Sequence, residues 1–245
     1  MTLQVSQVTP MSRVVTDGDV EYRELAKGIL EQVGLPFELE ILPHGAHLAI
    51  RFRRTGLALI TSLFEEAEAL LEYRDCGGAR FEMHAGDVLV NRPNSLLHCE
   101  AQHESHQLPG MRLFESSLQA GDDVMPSLLW LKGDAVRVAV DAGSRVRVLA
   151  GEYKGVKSPL IPFEKFVFLE GKWVLPEDFP LREDWATLIC VLEGALDIKT
   201  GMSTCEVAKY DAVLLRSDQG ESIRLAPQAY ARAIIVSFEL VGDKE

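Results

Sequence analysis

Residues 191–215, VLEGALDIKTGMSTCEVAKYDAVLL, run as strand, acidic turn, strand, glycine turn and strand, and enter the last strand through a Tyr210-Asp211 step. Residues 63–90, LFEEAEALLEYRDCGGARFEMHAGDVLV, follow the same order and enter their last strand through Gly86-Asp87. A duplicated strand unit produces such a likeness, so one half of the chain is expected to repeat the plan of the other.

Outward from these two stretches the same idiom continues. FELEIL, HLAIRF, LALITSLF, EALLEYR, RFEM, DVLV and MRLFES come before the middle of the chain. RVRVLAG, FVFLEG, ATLICVLEGALDI, CEVAKYDAVLLRS, ESIRLA and ARAIIVSFEL follow it. Short apolar or alternating runs bounded by Gly, Pro, Asp and Asn are strands, and strands at this spacing build a sandwich or barrel. The expected fold is all-β, two barrels packed together with few short helices. One helix is expected over DVEYRELAKGILEQVG, residues 19–34, where Val20, Leu25, Ile29 and Val33 form a stripe, with Gly34 as a stop and Pro36 just beyond. The segment LQAGDDVMPSLLWLK, residues 118–132, reads as the connection. The boundary is set near Gly121, giving units 1–120 and 121–245.

Composition narrows the function classes. Thirty-seven acidic against 25 basic residues give a charge of −12, a field that repels phosphate backbones and anionic lipid. The one basic cluster, Arg51, Arg53 and Arg54, is followed by Glu65, Glu66, Glu68 and Glu72, and reads as an ion-paired or solvated strand face, with an anion site as the alternative. No stretch reaches the roughly 18 consecutive apolar residues of a membrane span, and residues 1–19 hold no signal-peptide core, so a cytoplasmic protein is expected. Cys76, Cys99, Cys190 and Cys205 lack CxxC spacing and are expected to be reduced packing residues. Neither a phosphate-binding glycine loop nor a GxSxG elbow is present in the sequence.

The stretch VRVLAGEYKGVKSPL, residues 146–160, contains Arg-Val-X-X-Gly-X-X-X-Gly from Arg147 to Gly155. With PLREDWATLICVLEGALDI and the closing YARAIIVSF it resembles the C-terminal domain of the pirin family, a two-barrel branch of the cupin superfamily. LPFELEILPHGAH, EYRDCGG and GDVLVNRPNSLLHCE fall in the order of the pirin N-terminal barrel, so the resemblance spans nearly the whole chain. It implies a barrel whose mouth holds an ion or a small aromatic molecule. The fold by itself names no reaction, since cupins host oxygenases, isomerases and regulators alike.

All six histidines, His44, His47, His84, His98, His103 and His106, lie in the first half, so any metal is expected there. Pirin iron is held by two histidines one residue apart on an early strand and by a His-X-Glu pair on a later one. The resemblance carries the later pair onto His98 and Glu100. The early pair is missing: counting from GAH puts Phe52 and Arg54 in its place, and counting from EYRD puts Thr55 and Leu57 there. Two ligands rarely retain a catalytic metal. A guanidinium at Arg54 would occupy the cation's place beside Glu100. No cofactor is therefore expected. The alternative is one Fe, Cu or Ni ion held by His98 and Glu100 with His44 and His47 from PHGAH. His84, His103 and His106 read as solvated turn residues, and Cys99 as packing on the face opposite His98 and Glu100.

Two function classes follow. The first is a non-catalytic pirin-like protein that binds a small molecule or a protein partner, with Phe52 and Arg54 in its cavity. The second is a metal-dependent oxygenase of the quercetin 2,3-dioxygenase type built around His98 and Glu100. A homodimer is a third expectation, with Trp130, Trp173 and Trp185 as core aromatics or interface anchors.

Overall fold

The computed structural model describes residues 4–5, 9–10, 12–17, 20–25, 37–42, 49–54, 58–63, 69–74, 80–91, 98–103, 128–159, 166–201, 203–217 and 220–239; side chains are described for 84–89 and from 131 onward within these ranges. Nearly all of it is strand, as the runs of Val, Ile, Leu and Phe require. The early strands are β1 (Gln4–Val5), β2 (Thr9–Pro10), β3 (Ser12–Asp17), β4 (Val20–Leu25), β5 (Phe37–Leu42) and β6 (Ala49–Arg54). They are followed by β7 (Ala58–Leu63), β8 (Ala69–Arg74), β9 (Arg80–Met83), β10 (Val88–Asn91), β11 (His98–His103) and β12 (Leu128–Leu131). After a 3-10 turn at Gly133–Ala135 come β13 (Val138–Asp141), β14 (Ser144–Ala150), β15 (Glu152–Tyr153), β16 (Val156–Lys157) and β17 (Phe166–Trp173). The chain continues through β18 (Glu177–Pro180), β19 (Trp185–Thr200), β20 (Ser203–Val207), β21 (Asp211–Ser217) and β22 (Ser222–Glu239).

The chain divides into two units, Arg13–Val136 and Met1–Ser12 with Arg137–Glu245. The apolar run LLWL, expected in the connection, is β12 and pairs with β10, which carries the first unit on to Val136. The opening residues join the other unit, since β1 and β2 pair with β21.

The helix expected over residues 19–34 is corrected over its first turns: Val20–Leu25 is strand β4. Val20 and Tyr22 alternate with Glu21 and Arg23, a period of two that suits a pleated strand, and Arg23–Leu25 pair with β5. Residues 26–36 lie outside the described residues, as does MRLFES.

The first unit contains a seven-stranded sheet in the order β12-β10-β7-β6-β5-β4-β3 and a three-stranded sheet, β11-β8-β9. The second is built on a ten-stranded antiparallel sheet whose main path is β1-β21-β19-β22-β17-β14-β13. Its interior gathers Val146, Val148, Leu169, Trp173, Ile189, Val191, Val213, Leu215, Ala233 and Ile235. The intervening positions Phe168, Leu188, Cys190, Leu192, Ile234, Val236 and Phe238 are buried as well. Burial on both faces explains why ATLICVL and AIIVSF read as unbroken apolar runs.

The internal repeat has a local counterpart. Asp87 N–H donates to the His84 carbonyl at 2.9 Å, and Asp211 N–H donates to the Ala208 carbonyl at 2.9 Å. The residue before each aspartate has positive φ, 84° at Gly86 and 68° at Tyr210. Both copies thus enter their strand through the same kind of tight turn. Glycine adopts that backbone without cost, whereas Tyr210 holds it against steric preference.

Candidate functional site

His98 and Glu100 both lie on β11, whose register with β8 sets His98 opposite Arg74 and Glu100 opposite Glu72. The next register, β8 with β9, sets Arg74 opposite Arg80 and Glu72 opposite Glu82. Two rows therefore cross the three-stranded sheet, Arg80–Arg74–His98 and Glu82–Glu72–Glu100. Strand alternation places both rows on one face. Phe81, Tyr73 and Cys99, with Met83, Leu71 and Ala101, fall on the other. One face thus carries both charged rows with Leu70 and Gln102, and the other carries the apolar residues with Ala69 and His103, the latter lying on β11 rather than in the expected turn; the matched pair belongs to the first face.

Phe52 and Arg54 belong to the seven-stranded sheet. Phe52 stands opposite Leu39 and Ile60, and Arg54 opposite Phe37 and Ala58. Arg54 is thus placed at the strand end, on the face that also carries Phe37, Leu39, Ile41, Ile50, Phe52, Ala58, Ile60, Ser62 and Arg23. Arg51 and Arg53 fall on the opposite face, directly across from Glu40 and Glu38. Cross-strand pairs of opposite charge stabilise an antiparallel ladder, which supports an ion-paired strand face over an anion site. The partners in register are these two glutamates rather than the later ones: Glu72 lies in the three-stranded sheet, and Glu65, Glu66 and Glu68 lie outside the described residues. His44, His47, His106, Thr55, Leu57 and Cys76 also lie outside them.

Among the described residues these strands offer few groups that could ligate a cation. One imidazole and one carboxylate come from β11, an arginine stands in register with the imidazole, and β6 contributes Phe52 and Arg54, neither of which ligates a cation. Among the described residues no group of three His, Cys, Asp or Glu is arranged to hold a metal ion. His84 is exposed in a turn, with its N–H donating to Asp87 Oδ2 at 2.9 Å. The buried Asp87 carboxylate also accepts from Gly133 N–H at 2.8 Å, a clamp that the sequence signals only as an Asp after a turn glycine.

The second unit explains its most specific motif structurally. Lys154 and Gly155, with φ of 47° and 76°, form the two-residue turn between β15 and β16. Positive φ at both positions is what a type I′ hairpin demands. Gly151 has φ of 76°, and a Cβ there would lie 2.4 Å from the Phe166 carbonyl oxygen. Ser158 closes the hairpin, its hydroxyl donating to the Leu149 carbonyl at 2.9 Å and its N–H to the Gly151 carbonyl at 2.8 Å.

Beneath this hairpin sits the buried carboxylate of Glu177. It accepts from Trp173 Nε1 at 2.8 Å, from Tyr153 Oη at 3.1 Å and from Lys154 Nζ. Lys154 also donates to Asp141 Oδ2 at 2.7 Å, and that bond, with the Ala142 N–H, holds the Asp141 carboxyl below its usual range. Burial and the adjoining Glu177 charge push the Tyr153 phenol far up. Tyr153 stacks on Phe179 with ring centroids 5.5 Å apart. The cluster runs from the fully buried Trp173 to the exposed Asp141.

A second carboxylate, Glu170 on β17, is 2% exposed and lies between two arginines. Arg147 Nη1 of β14 donates to Glu170 Oε2 at 2.6 Å, and Arg232 Nη2 of β22 donates to Oε1. Arg232 Nη1 also approaches Glu193 Oε1 at 3.8 Å. Arg147 is the arginine of the Arg-Val-X-X-Gly motif, so the motif supplies a buried counter-charge as well as a turn. Neither carboxylate was singled out from the sequence. For Glu170 the signal is an arginine directly opposite and another on the diagonal, and it becomes visible only once the strands are aligned.

Of the tryptophans, Trp173 is core. Trp185 is half-buried against that core under the Arg182 guanidinium, 4.5 Å from its ring centre. Trp130, on β12, pairs with Leu89 of β10. Cys190 is a buried free thiol and Cys205 a half-buried one.

No family model matches the chain. A pirin-like protein of Arabidopsis thaliana is 22% identical over 194 residues, covering 77% of this chain and 69% of the relative. A crystal structure of quercetin 2,3-dioxygenase from Acinetobacter baumannii superposes with a TM-score of 0.70 at 19% identity, over 98% of this chain and 88% of that one. The bacterial pirin YhhW of Escherichia coli, in complex with nickel(II), gives 0.59 at 11% identity over 98% and 100%. At these identities the structures establish the fold. The chain is thus similar in sequence to a pirin-like protein and shares its all-β fold with these solved structures.

Proposed function

We propose that this chain is a pirin-like binding protein that engages a small molecule or a protein partner without a metal-driven step. The observation that carries this is the residue set at the early ligand positions. Phe52 and Arg54 stand there by one count and Thr55 and Leu57 by the other, and none is a cation ligand. The arginine in register with His98 adds to it, because a permanent positive charge beside an imidazole opposes a cation there. The chain's charge of −12 argues that the partner is not a nucleic acid or an anionic membrane.

The competing function is oxygenation of a flavonol, favoured by the likeness to a quercetin 2,3-dioxygenase fold. It needs one Fe, Cu or Ni ion on His98 and Glu100, completed by His44 and His47. One experiment separates the two. Full-length protein purified without chelator is assayed for metal content and mixed with quercetin under air. We expect metal far below one equivalent and an unchanged flavonol spectrum. Stoichiometric metal with loss of quercetin absorbance would reverse the proposal, and Arg54→Ala tests whether that guanidinium is what keeps a cation out.

A further inference from the structure

We infer that β13 is the contact surface for a second copy of this chain, which adds its own β13 antiparallel across a two-fold axis at Ala139. β13 ends the main path of the ten-stranded sheet, and β14 is its one strand partner among the described residues. The Arg137 carbonyl accepts from Val148 N–H at 2.9 Å, so the backbone of Arg137 is directed toward β14. Alternation turns the backbone of Ala139 and Asp141 the same way, and directs the N–H and C=O of Val138 and Val140 outward, away from β14. An edge of this kind is a template for another strand. Natural edges are blunted by lysine, proline or an inward charge, and Val138-Ala139-Val140 carries none of these. Val140 is 74% exposed.

The order of residues along this edge, Arg137-Val138-Ala139-Val140-Asp141, selects the occupant. Laid antiparallel on itself about Ala139, it sets Val138 opposite Val140 of the second copy, where the two exchange N–H and C=O, and Arg137 opposite Asp141. Both ends of the ladder then join opposite charges, a pairing that stabilises antiparallel strands. Within one chain these charges do not meet, since four residues of strand hold them about 13 Å apart. Arg137 is exposed, with no carboxylate partner among the described residues, and Asp141 is 55% exposed beside Lys154. A second copy supplies the complementary charge order by symmetry, whereas a strand of any other protein would have to carry it by coincidence. The exposed large apolar side chains among the described residues are Val140, Val174 and Leu175. They gather at one end of the sheet, because Val174 N–H donates to the carbonyl of Gly143, in the turn that follows β13, at 2.8 Å. Apolar surface gathered in this way marks an interface. Two-fold pairing closes on itself, so assembly stops at the dimer.

Sedimentation of the full-length protein over a wide concentration range tests the pairing. Each copy carries a charge of −12, so the runs are made near physiological ionic strength, where the screening length is about 8 Å. We expect a monomer–dimer equilibrium and nothing larger. Val140→Pro removes an outward N–H that the sheet itself does not use, so the dimer should be lost while the urea midpoint stays unchanged at dilutions where both chains are monomeric. Arg137→Asp and Asp141→Arg each set like charges opposite one another and should weaken the dimer roughly tenfold. An equimolar mixture of these two variants should restore it as a heterodimer, since each then supplies the charge that the other lacks. Asp141→Arg also gives up the bond to Lys154; if that unfolds the hairpin, Arg137→Asp and Val140→Pro carry the test alone. A chain that stays monomeric at every concentration would overturn the inference and leave the edge to a strand of another protein. A dimer untouched by Val140→Pro would overturn it as well, by placing the contact elsewhere.

Discussion

Glu170 in the second unit and Glu100 in the first are both strand glutamates in sheets that also carry arginine, and their surroundings differ in an instructive way. Glu170 has one arginine directly opposite and one on the diagonal, and both donate to it in a site closed to water. Glu100 has a glutamate directly opposite and an arginine on the diagonal, on a sheet face that also carries Leu70 and Gln102. The resemblance would have metal chemistry at the second of these places, whereas charge matching by arginine is realised at the first. Buried ion pairs of the first kind are costly to desolvate and hold only when every partner is present.

The difference can be broken most forcefully at Glu170. Glu170→Ala leaves Arg147 and Arg232 buried around the lost carboxylate and should cost about 3–5 kcal/mol, measured by urea unfolding. A loss under about 1 kcal/mol would mean that the two guanidinium groups find water or other acceptors, and the contrast with Glu100 would collapse. Glu177→Gln should cost less, about 1–3 kcal/mol. The neutral amide still accepts from Trp173 or Tyr153, and what is lost is the charge facing Lys154. An effect as large as that of Glu170→Ala would show that the hairpin latch, rather than the arginine pair, is the main polar support of this unit.

The smallest effect is read through pH. Burial, with Glu177 beside it, raises the Tyr153 phenol above its ordinary 10.0, and burial alone raises the Cys190 thiol above 9.0. For Lys154, burial lowers the amine but the bonds to Asp141 and Glu177 outweigh it, and the net shift is upward from 10.5. Each group therefore keeps its proton in the folded chain where the unfolded chain would release it. Their stabilisation is complete below pH 9.0 and is lost as pH rises, first through Cys190 and then through Tyr153 and Lys154. Urea midpoints taken between about pH 8 and 11 should fall with increasing slope. Tyr153→Phe should flatten the part that begins near 10.0, and identical slopes in both proteins would remove Tyr153 from the account.

Much of this was legible in the chain itself. FELEIL and RFEM coincide with β5 and β9 residue for residue, because alternation of apolar and charged side chains is a direct imprint of a half-buried strand. Residues 19–34 misled for a related reason. Val20, Leu25, Ile29 and Val33 satisfy a helical stripe while VEY at its start satisfies a strand, and pairing with β5 settled the matter over Val20–Leu25. The candidate site was legible only as a short pattern. His98 and Glu100 are two residues apart in any register, but their neighbours Arg74 and Glu72 lie more than twenty residues away.

By itself, then, the sequence determined the strand content, the His-X-Glu spacing, the absence of the early histidine pair, and the Lys154-Gly155 turn that requires positive φ. These are local properties, dictated by side-chain periodicity and backbone sterics within a few residues. The tertiary structure alone decided that Arg74 and Glu72 flank the matched pair, that Arg51 and Arg53 face Glu40 and Glu38, and that Glu170 is enclosed by Arg147 and Arg232. Cross-strand register joins residues far apart along the chain, and it is set by the cooperative burial of whole strands rather than by the residues that become neighbours.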